Sequence, residues 1–263
     1  DFDQIVVLHG DTQSVPEGHG TMGSRSLVVG GGAVMIALEH IKEKARQIAA
    51  HLLEAAVEDI EFVDGRWQVK GAPDRAVTLA DIAGAAYAGN VPEGMEPGLV
   101  ATDFFAPPDE VFPFGTHVAV VEVFPDTGEV KILEYYSVDD CGPRINPLLV
   151  EGQVHGGLAQ GIAQALWEEV RYDENGQILT GTLMDYAIPK ASMLIDFVTD
   201  ETVTPTPLNP LGAKGIGEAA TIGSTPTIAN AVMDALAPLG IEHIDIPLTP
   251  EKIWRAIQQA KQA

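Results

Sequence analysis

An α+β fold in two mixed sheet-and-helix subdomains is what the sequence predicts, and three observations lead there. Several runs place apolar residues three or four positions apart, the spacing of an amphipathic helix. Other stretches alternate, or run β-branched, on either side of Gly- and Asp-containing turns, which is the signature of hairpins. A Pro- and Gly-rich passage at residues 88–113 breaks the chain into a first subdomain, residues 1–95, and a second, residues 96–263. With 263 residues, 46% of them hydrophobic and 20% charged, the chain has the length and composition for one large core or two modest ones.

Taken in order, Gln4–His9 (Gln-Ile-Val-Val-Leu-His) reads as a buried strand. Its position predicts a pairing partner upstream or on another chain. His9–Arg25 holds four glycines and one proline and shows neither period, so it is a loop long enough to expect a function of it. A helix is expected from about Ser26 to Val57, where Ala33, Ile36, Ala37, Ile41, Ala45, Ile48 and Leu52 form one stripe. Gly30, Gly31 and Gly32 weaken its first turn and point to close packing there. Ile60–Val63 and Trp67–Val69 flank Asp64-Gly65, the strongest hairpin signal in the chain. Thr78–Tyr87 is a short helix with Thr78 or Asp81 at its cap. A strand is expected at Leu99–Phe105 within the Pro-rich connection.

In the second subdomain, Thr116–Phe124 and Glu129–Val138 form an antiparallel pair around Pro125–Gly128. A helix follows from Pro147 to Glu168, whose Gly152, Gly156, Gly157, Gly161 and Ala165 permit near contact with another backbone. Glu169–Tyr172 and Leu179–Thr182 are expected to pair about Asp173–Gly176, and helices at Pro226–Leu236 and Pro250–Lys261 finish the chain.

Composition excludes several functions. Fifteen Lys and Arg against 38 Asp and Glu give a net charge of −23, spread without blocks, which repels phosphate backbones and anionic membrane surfaces. Nucleic acid is therefore not an expected partner. The single cysteine, Cys141, excludes an intrachain disulfide framework and fits a reducing compartment. No apolar run spans a bilayer and no secretory leader opens the chain, so a soluble, cytoplasmic protein without a transmembrane segment is expected. Seven scattered histidines lack zinc-hydrolase spacing.

Three segments carry candidate chemistry. Gly215-Ile216-Gly217-Glu218-Ala219-Ala220 has the letters of a dinucleotide fingerprint, but the approach through Pro205, Pro207 and Pro210 cannot be a strand interior. What remains is a glutamate among small residues with Lys214 four positions before it; a solvated loop acid is the plain alternative. Ser224 or Thr225 is expected to cap a helix begun by Pro226, whose free N–H groups suit an anion. Gly18-His19-Gly20-Thr21-Met22-Gly23-Ser24-Arg25-Ser26 leads into a helix and lets backbone approach a ligand, though it is no P-loop and a plain turn reads equally well. Asp139–Pro147 is a compact polar turn containing Cys141; a lone cysteine is usually an inert core residue, and His155 beyond it is more often packed than ligating.

In their order along the chain, Gly18–Ser26, Asp139–Pro147 and Gly215–Ala220, the three segments, with Gly10-Asp11-Thr12 before them and Pro247–Trp254 after them, resemble the molybdenum hydroxylases of the xanthine oxidase, aldehyde oxidase and aerobic carbon monoxide dehydrogenase family. The resemblance covers the whole chain but only the C-terminal part of the family's large subunit. It implies the C-terminal half of a molybdopterin-binding domain, with molybdopterin carried as its cytosine dinucleotide. Glu218 stands at the position of the family's catalytic base, which takes a proton from hydroxide on the metal; burial among small residues would raise its pKa toward working pH. By the same resemblance Met22 and Gly23 lie beside the metal, Ser24, Arg25, Cys141, Asn146 and Gln153 line the pterin or its phosphates, and Arg25 and Lys214 hold a phosphate. No residue of the chain is expected to ligate the metal.

The resemblance further implies an N-terminal half on a separate chain, iron–sulfur and flavin (FAD) subunits, and a homo-oligomer of the complex. The family's Gln- and Gly-rich pterin segment and its substrate-reading loop have no counterpart in this sequence, so an aldehyde, an N-heterocycle and carbon monoxide remain open as substrates. Ala220 stands where the family commonly has glycine. The competing expectation is a non-catalytic fragment or assembly protein that keeps the fold, which the presence of Glu218 counts against.

Overall fold

Of the 263 residues, the computed structural model describes 2–15 and 17–262, and these divide into two units. One comprises Val28–Pro108 with Asn209–Leu211; the other comprises Asp1–Leu27, Asp109–Leu208 and Gly212–Ala263. The Gly-rich loop therefore groups with the C-terminal segments, whereas a division at residue 95 assigns it to the first subdomain.

In the smaller unit, α1 (Gly32–Leu52) follows a π-helical turn at Leu27–Gly31. It ends earlier than the sequence predicts because Glu54 takes φ +47°, outside the helical region. Gly32 is required by packing: a Cβ there would lie 2.4 Å from the Phe105 ring. The predicted hairpin forms from β1 (Ile60–Val63) and β2 (Arg66–Val69), with Asp64 and Gly65 both at positive φ as a type I′ turn demands. A third strand, β3 (Ala72–Thr78), pairs with β2 despite Pro73 and Asp74, since an edge strand tolerates residues that a central one rejects. Then α2 (Leu79–Ala88) starts in a capping box between Thr78 and Asp81 and stops at Gly89, φ +79°. Ile48, Ile60, Trp67 and Ile82 bury the shared core. No strand forms at Leu99–Phe105: Leu99 packs its side chain on the core, and the backbone meets no sheet edge.

In the larger unit, β4 (Phe114–Val123) and β5 (Val130–Asp140) are antiparallel, α3 spans Pro147–Leu166, and β6 (Val198–Glu201) adds to β5 in parallel. Helices α4 (Ala219–Leu236) and α5 (Pro250–Ala260) complete it. The inward face of β5, with Ile132 and Tyr135, joins Leu158, Ile162, Ile228, Val232, Ile253 and Ile257 in one core. Helices α3 and α4 approach to glycine distance: a Cβ on Gly161 would stand 1.9 Å from Ser224 Oγ.

Three expectations for this unit are corrected, and one strand was not foreseen. Helix α4 begins at Ala219, not Pro226; the proline sits inside it and removes one backbone bond, while Thr225 Oγ1 and Thr227 Oγ1 donate to the carbonyls of Thr221 and Gly223 at 3.2 and 2.8 Å. Strand β6 lies in the Pro-punctuated passage and is too short to show a period. The pair expected at 169–182 reduces to a single bridge, Tyr172 to Ile178, because Asp173 Oδ1 accepts from the N–H groups of Asn175 and Gln177 and holds a local turn. Gln4–His9 is not a strand; Ile5, Val6, Val7 and Leu8 are 65%, 80%, 75% and 67% exposed, and among the described residues no neighbouring strand accepts their backbone. Among the described residues no helix is long and apolar enough to cross a membrane.

Candidate functional site

A cavity of about 700 Å³ lies in the larger unit, bounded by the loop Thr21–Leu27, the segment from Cys141 to Gln153, and the segment from Lys214 to Glu218. Met22, Gly23, Ser24, Cys141, Asn146, Gln153, Lys214 and Glu218 all line it. Arg25 does not; its guanidinium reaches back to the carbonyl of Gly20 at 3.4 Å.

Each wall follows from local structure. Strand β5 ends at the buried Asp140 and delivers the next residue, Cys141, to the cavity wall, and Gly142 turns the chain at φ +67° with no room for a side chain, since a Cβ would meet the Gly212 carbonyl oxygen at 2.4 Å. Asn146 caps α3, its Oδ1 accepting from the Leu149 N–H at 3.2 Å, and Pro147 fills the first helical position. Gly215 packs so tightly on the Gly-rich loop that a Cβ would lie 2.5 Å from the Ser24 carbonyl oxygen. Ser24 itself is left-handed at φ +57°, a conformation that costs a non-glycine residue free energy and marks functional loops. Its Oγ donates to Glu218 Oε2 at 2.8 Å.

Glu218 sits at the N-terminus of α4 and is exposed, so this chain does not supply the burial expected around that carboxylate. The small residues beside it pack against Ser24 and Gln153 and leave the carboxylate on the open side. Lys214 lines the cavity, yet its ammonium is already matched: Nζ lies 3.0 Å from Asp140 Oδ1 and 4.2 Å from the centre of the Phe114 ring. The Asp140 carboxyl is opposed by burial, but hydrogen bonds from the Gly142 and Thr204 N–H groups and from Lys214 outweigh it and hold the carboxyl well below its ordinary range. Burial, with the Asp140 charge beside it, pushes the Cys141 thiol up, so the group is a neutral packing element.

A second polar network backs the floor. His117 contacts the Tyr135 hydroxyl at 2.9 Å through Nδ1 and Asp139 Oδ1 at 3.2 Å through Nε2, and Ser137 Oγ donates to the other Asp139 oxygen. His155 lies outside the cavity, edge-on to Phe197 with ring centres 5.9 Å apart. The sequence reading missed Asp140 and the apolar lining of Leu27, Ile145, Leu149, Val150 and Ile216. The lining had a usable signal in the apolar residues that follow each polar motif. Asp140 had none, because its lysine partner is 74 positions away.

Residues 1–194 match the family model described as molybdopterin cofactor-binding domain. The chain is 45% identical over 255 residues to the carbon monoxide dehydrogenase large chain of Hydrogenophaga pseudoflava, covering 97% of this chain and 32% of that one. It is 40% identical to the nicotine 6-hydroxylase large subunit of Paenarthrobacter nicotinovorans, with 97% and 32% covered. Among solved structures, reconstituted CO dehydrogenase from Oligotropha carboxidovorans superposes with TM-score 0.94 at 42% identity over 99% of this chain and 32% of that one. Quinoline 2-oxidoreductase from Pseudomonas putida 86 superposes with TM-score 0.85 at 43% identity over 91% and 31%. The chain spans about a third of the length of these relatives.

Proposed function

The chain belongs to the molybdopterin cofactor-binding domain family, and from that premise we propose that it forms one wall of the active site of a molybdenum hydroxylase large subunit. The reaction is oxidation of an aldehyde, an N-heterocycle or carbon monoxide with oxygen drawn from water. One observation carries the reading: eight of the nine residues that the resemblance names, drawn from three segments far apart in sequence, line a single cavity, and only Arg25 lies outside it.

The residues present fit such a group. A volume of about 700 Å³ lies within the range of roughly 300–1,000 Å³ typical of cofactor pockets. The close approach of Gly215 and Gly217 to Ser24 leaves no room for a Cβ at Gly215 and holds two of the cavity's walls together. What a molybdenum–pterin group supplies when bound is two-electron oxidation and an oxygen-transferring centre; binding, orientation and proton handling fall to this chain. Asn146 and Gln153 present amides, Cys141 and Gly23 present close backbone, and Met22 and Ile145 exclude water. Glu218 takes up a proton on a carboxylate that the Ser24 hydroxyl steadies at 2.8 Å.

In the complete protein the remaining pterin contacts come from an N-terminal half, the pterin is the cytosine dinucleotide, iron–sulfur and FAD subunits accept the electrons, and the complex is a homo-oligomer. The test is Glu218→Gln in the complete enzyme, assayed by dye reduction with an aldehyde, an N-heterocycle and carbon monoxide in parallel. A loss of about 10²- to 10⁴-fold in turnover at unchanged molybdenum content is expected. Unchanged turnover, or a complex without molybdenum, overturns the reading.

A further inference from the structure

Asp140 is the most heavily used polar group of the larger unit. Its side chain is 0% exposed and its partner Lys214 only 7%. One oxygen accepts from Lys214 Nζ at 3.0 Å, the Gly142 N–H at 2.9 Å and the Thr204 N–H at 3.1 Å, and the other accepts from Thr202 Oγ1 at 3.0 Å. Beside it the Lys214 N–H donates to the Cys141 carbonyl at 2.8 Å, and Gly142 lies against Gly212 with no space for a Cβ. A single carboxylate thus ties three strands of chain: the turn that carries Cys141, the passage after β6, and the loop that ends in Glu218.

Stability alone does not account for such a pair. The desolvation of two buried charges offsets their attraction, so a buried ion pair adds little over a well-packed apolar contact. What it does add is geometry, because three converging donors and a fixed charge allow only one arrangement of the segments that bring them.

We propose that Asp140 is the positioning residue of the cavity: paired with Lys214, it locks the Glu218 loop against the Cys141 turn and so fixes the cofactor-facing atoms of both. The proposal rests on the cavity being the cofactor site only for its metal readout; its structural readout stands apart. The lysine accordingly acts through Asp140 and not as a phosphate clamp.

The test compares Asp140→Asn, Lys214→Gln and the double variant in the complete protein that carries this chain. Asparagine keeps the shape and an accepting oxygen and removes the charge. In each single variant, amide hydrogen exchange at residues 202–206 and 212–218 rises about tenfold or more while α1 and β1 to β3 keep wild-type protection. Molybdenum content by mass spectrometry falls about tenfold, and the Mo(V) spectrum of the metal retained after dithionite reduction changes shape. The double variant, neutral on both sides, recovers most of each loss. Wild-type exchange in Asp140→Asn, or a double variant no better than the singles, overturns the proposal. If Asp140→Asn does not accumulate, the double variant decides: near wild-type exchange supports the pairing and raised exchange overturns it. Molybdenum absent from the wild-type protein sinks the cofactor reading alone, with the exchange result still deciding the positioning.

Discussion

Two segments line the same cavity and are held there by opposite means. The turn from Asp139 to Asn146 is tied on every side: Asp140 by four donors, Gly142 by backbone contact with Gly212, and Asn146 by its cap on α3. Behind it, α3 and α4 pack at glycine distance. The loop from Thr21 to Leu27 reaches the opposite wall through the Ser24 hydrogen bond to Glu218 and the close approach to Gly215, and Met22 at its tip is 58% exposed. Upstream, Ile5–Leu8 is exposed as well. The contrast teaches that this chain builds one wall around a buried carboxylate with four donors, and joins the other to it through a left-handed serine, its hydrogen bond to Glu218 and the close approach of Gly215.

Breaking the packing behind the built wall has the largest expected effect. Gly161→Val drives a branched side chain into Ser224 Oγ and the Thr221 carbonyl, and helices that cannot separate without opening the core lose on the order of 3 kcal/mol or more. Gly156→Ala, five residues earlier in the same helix and with nothing within 4 Å of its Cβ position, is the control; it gains about 0.5–1 kcal/mol from helix propensity. Urea midpoints of the two variants separate in opposite directions from wild type, and equal midpoints refute the close approach of α3 and α4.

Acid tests the same contrast next. Asp139 and Asp140 both have depressed carboxyl pKa values in the folded state: burial opposes the charge, and the bonds from His117 and Ser137 in one case, and from Gly142, Thr204 and Lys214 in the other, prevail. A depressed folded pKa contributes stability that is complete above the unfolded value near 3.8 and is lost as pH falls toward the folded one. Stability therefore declines below about pH 4, and Asp140→Asn removes on the order of 2 kcal/mol of that decline. Asp11 in the loop is also depressed, by its bonds to Gln13 and Ser14, but it is exposed, and Asp11→Asn leaves the acid profile close to wild type. Thermal melts from pH 2 to 7 measure both.

The built wall was also the more legible of the two in the sequence. Cap signals marked Asn146 and Pro147 as a helix start, because the backbone at an element end demands particular side chains, while the family resemblance, not periodicity or spacing, named Cys141, Asn146, Gln153, Lys214 and Glu218 as one site, with Met22, Gly23 and Ser24 on the other wall. The hairpin at Asp64-Gly65 and the capping box at Thr78 were legible for the same reason. The sequence did not reveal contacts set by tertiary structure alone. Asp140 and Lys214 meet across 74 residues, β6 is recruited by β5, and Pro226 looked like a helix start although the helix already runs through it. Gln4–His9 failed differently: its apolar run is a sound strand signal, but a strand needs a neighbour to accept its hydrogen bonds, and none is present among the described residues.

Capping gives a smaller and cleaner effect. Asn146→Ala removes the side-chain acceptor of the Leu149 N–H at 3.2 Å and costs about 1 kcal/mol, read as a lowered urea midpoint with unchanged slope. Asn146→Ser or Asn146→Asp keeps the acceptor and restores most of it. A loss confined to ligand binding, with no change in stability, shows that the asparagine is held for the cavity and not for the helix.

The smallest expected effect bears on the loosely held side. Val6 is 80% exposed, so replacing it by Asp in this chain removes no buried contact and changes stability by no more than about 0.5 kcal/mol. The same substitution in the complete protein sharpens the comparison. If the four exposed apolar residues Ile5–Leu8 pair with a segment outside this chain, alternate side chains are buried, and a carboxylate opposite an apolar neighbour is strongly disfavoured. Val6→Asp or its neighbour Val7→Asp, whichever faces the buried side, then lowers the melting temperature of the complete protein by several degrees while leaving that of the 263-residue chain unmoved. The period-two difference between the two substitutions identifies a strand; equal, negligible shifts for both in the complete protein show that Ile5–Leu8 stays outside any sheet.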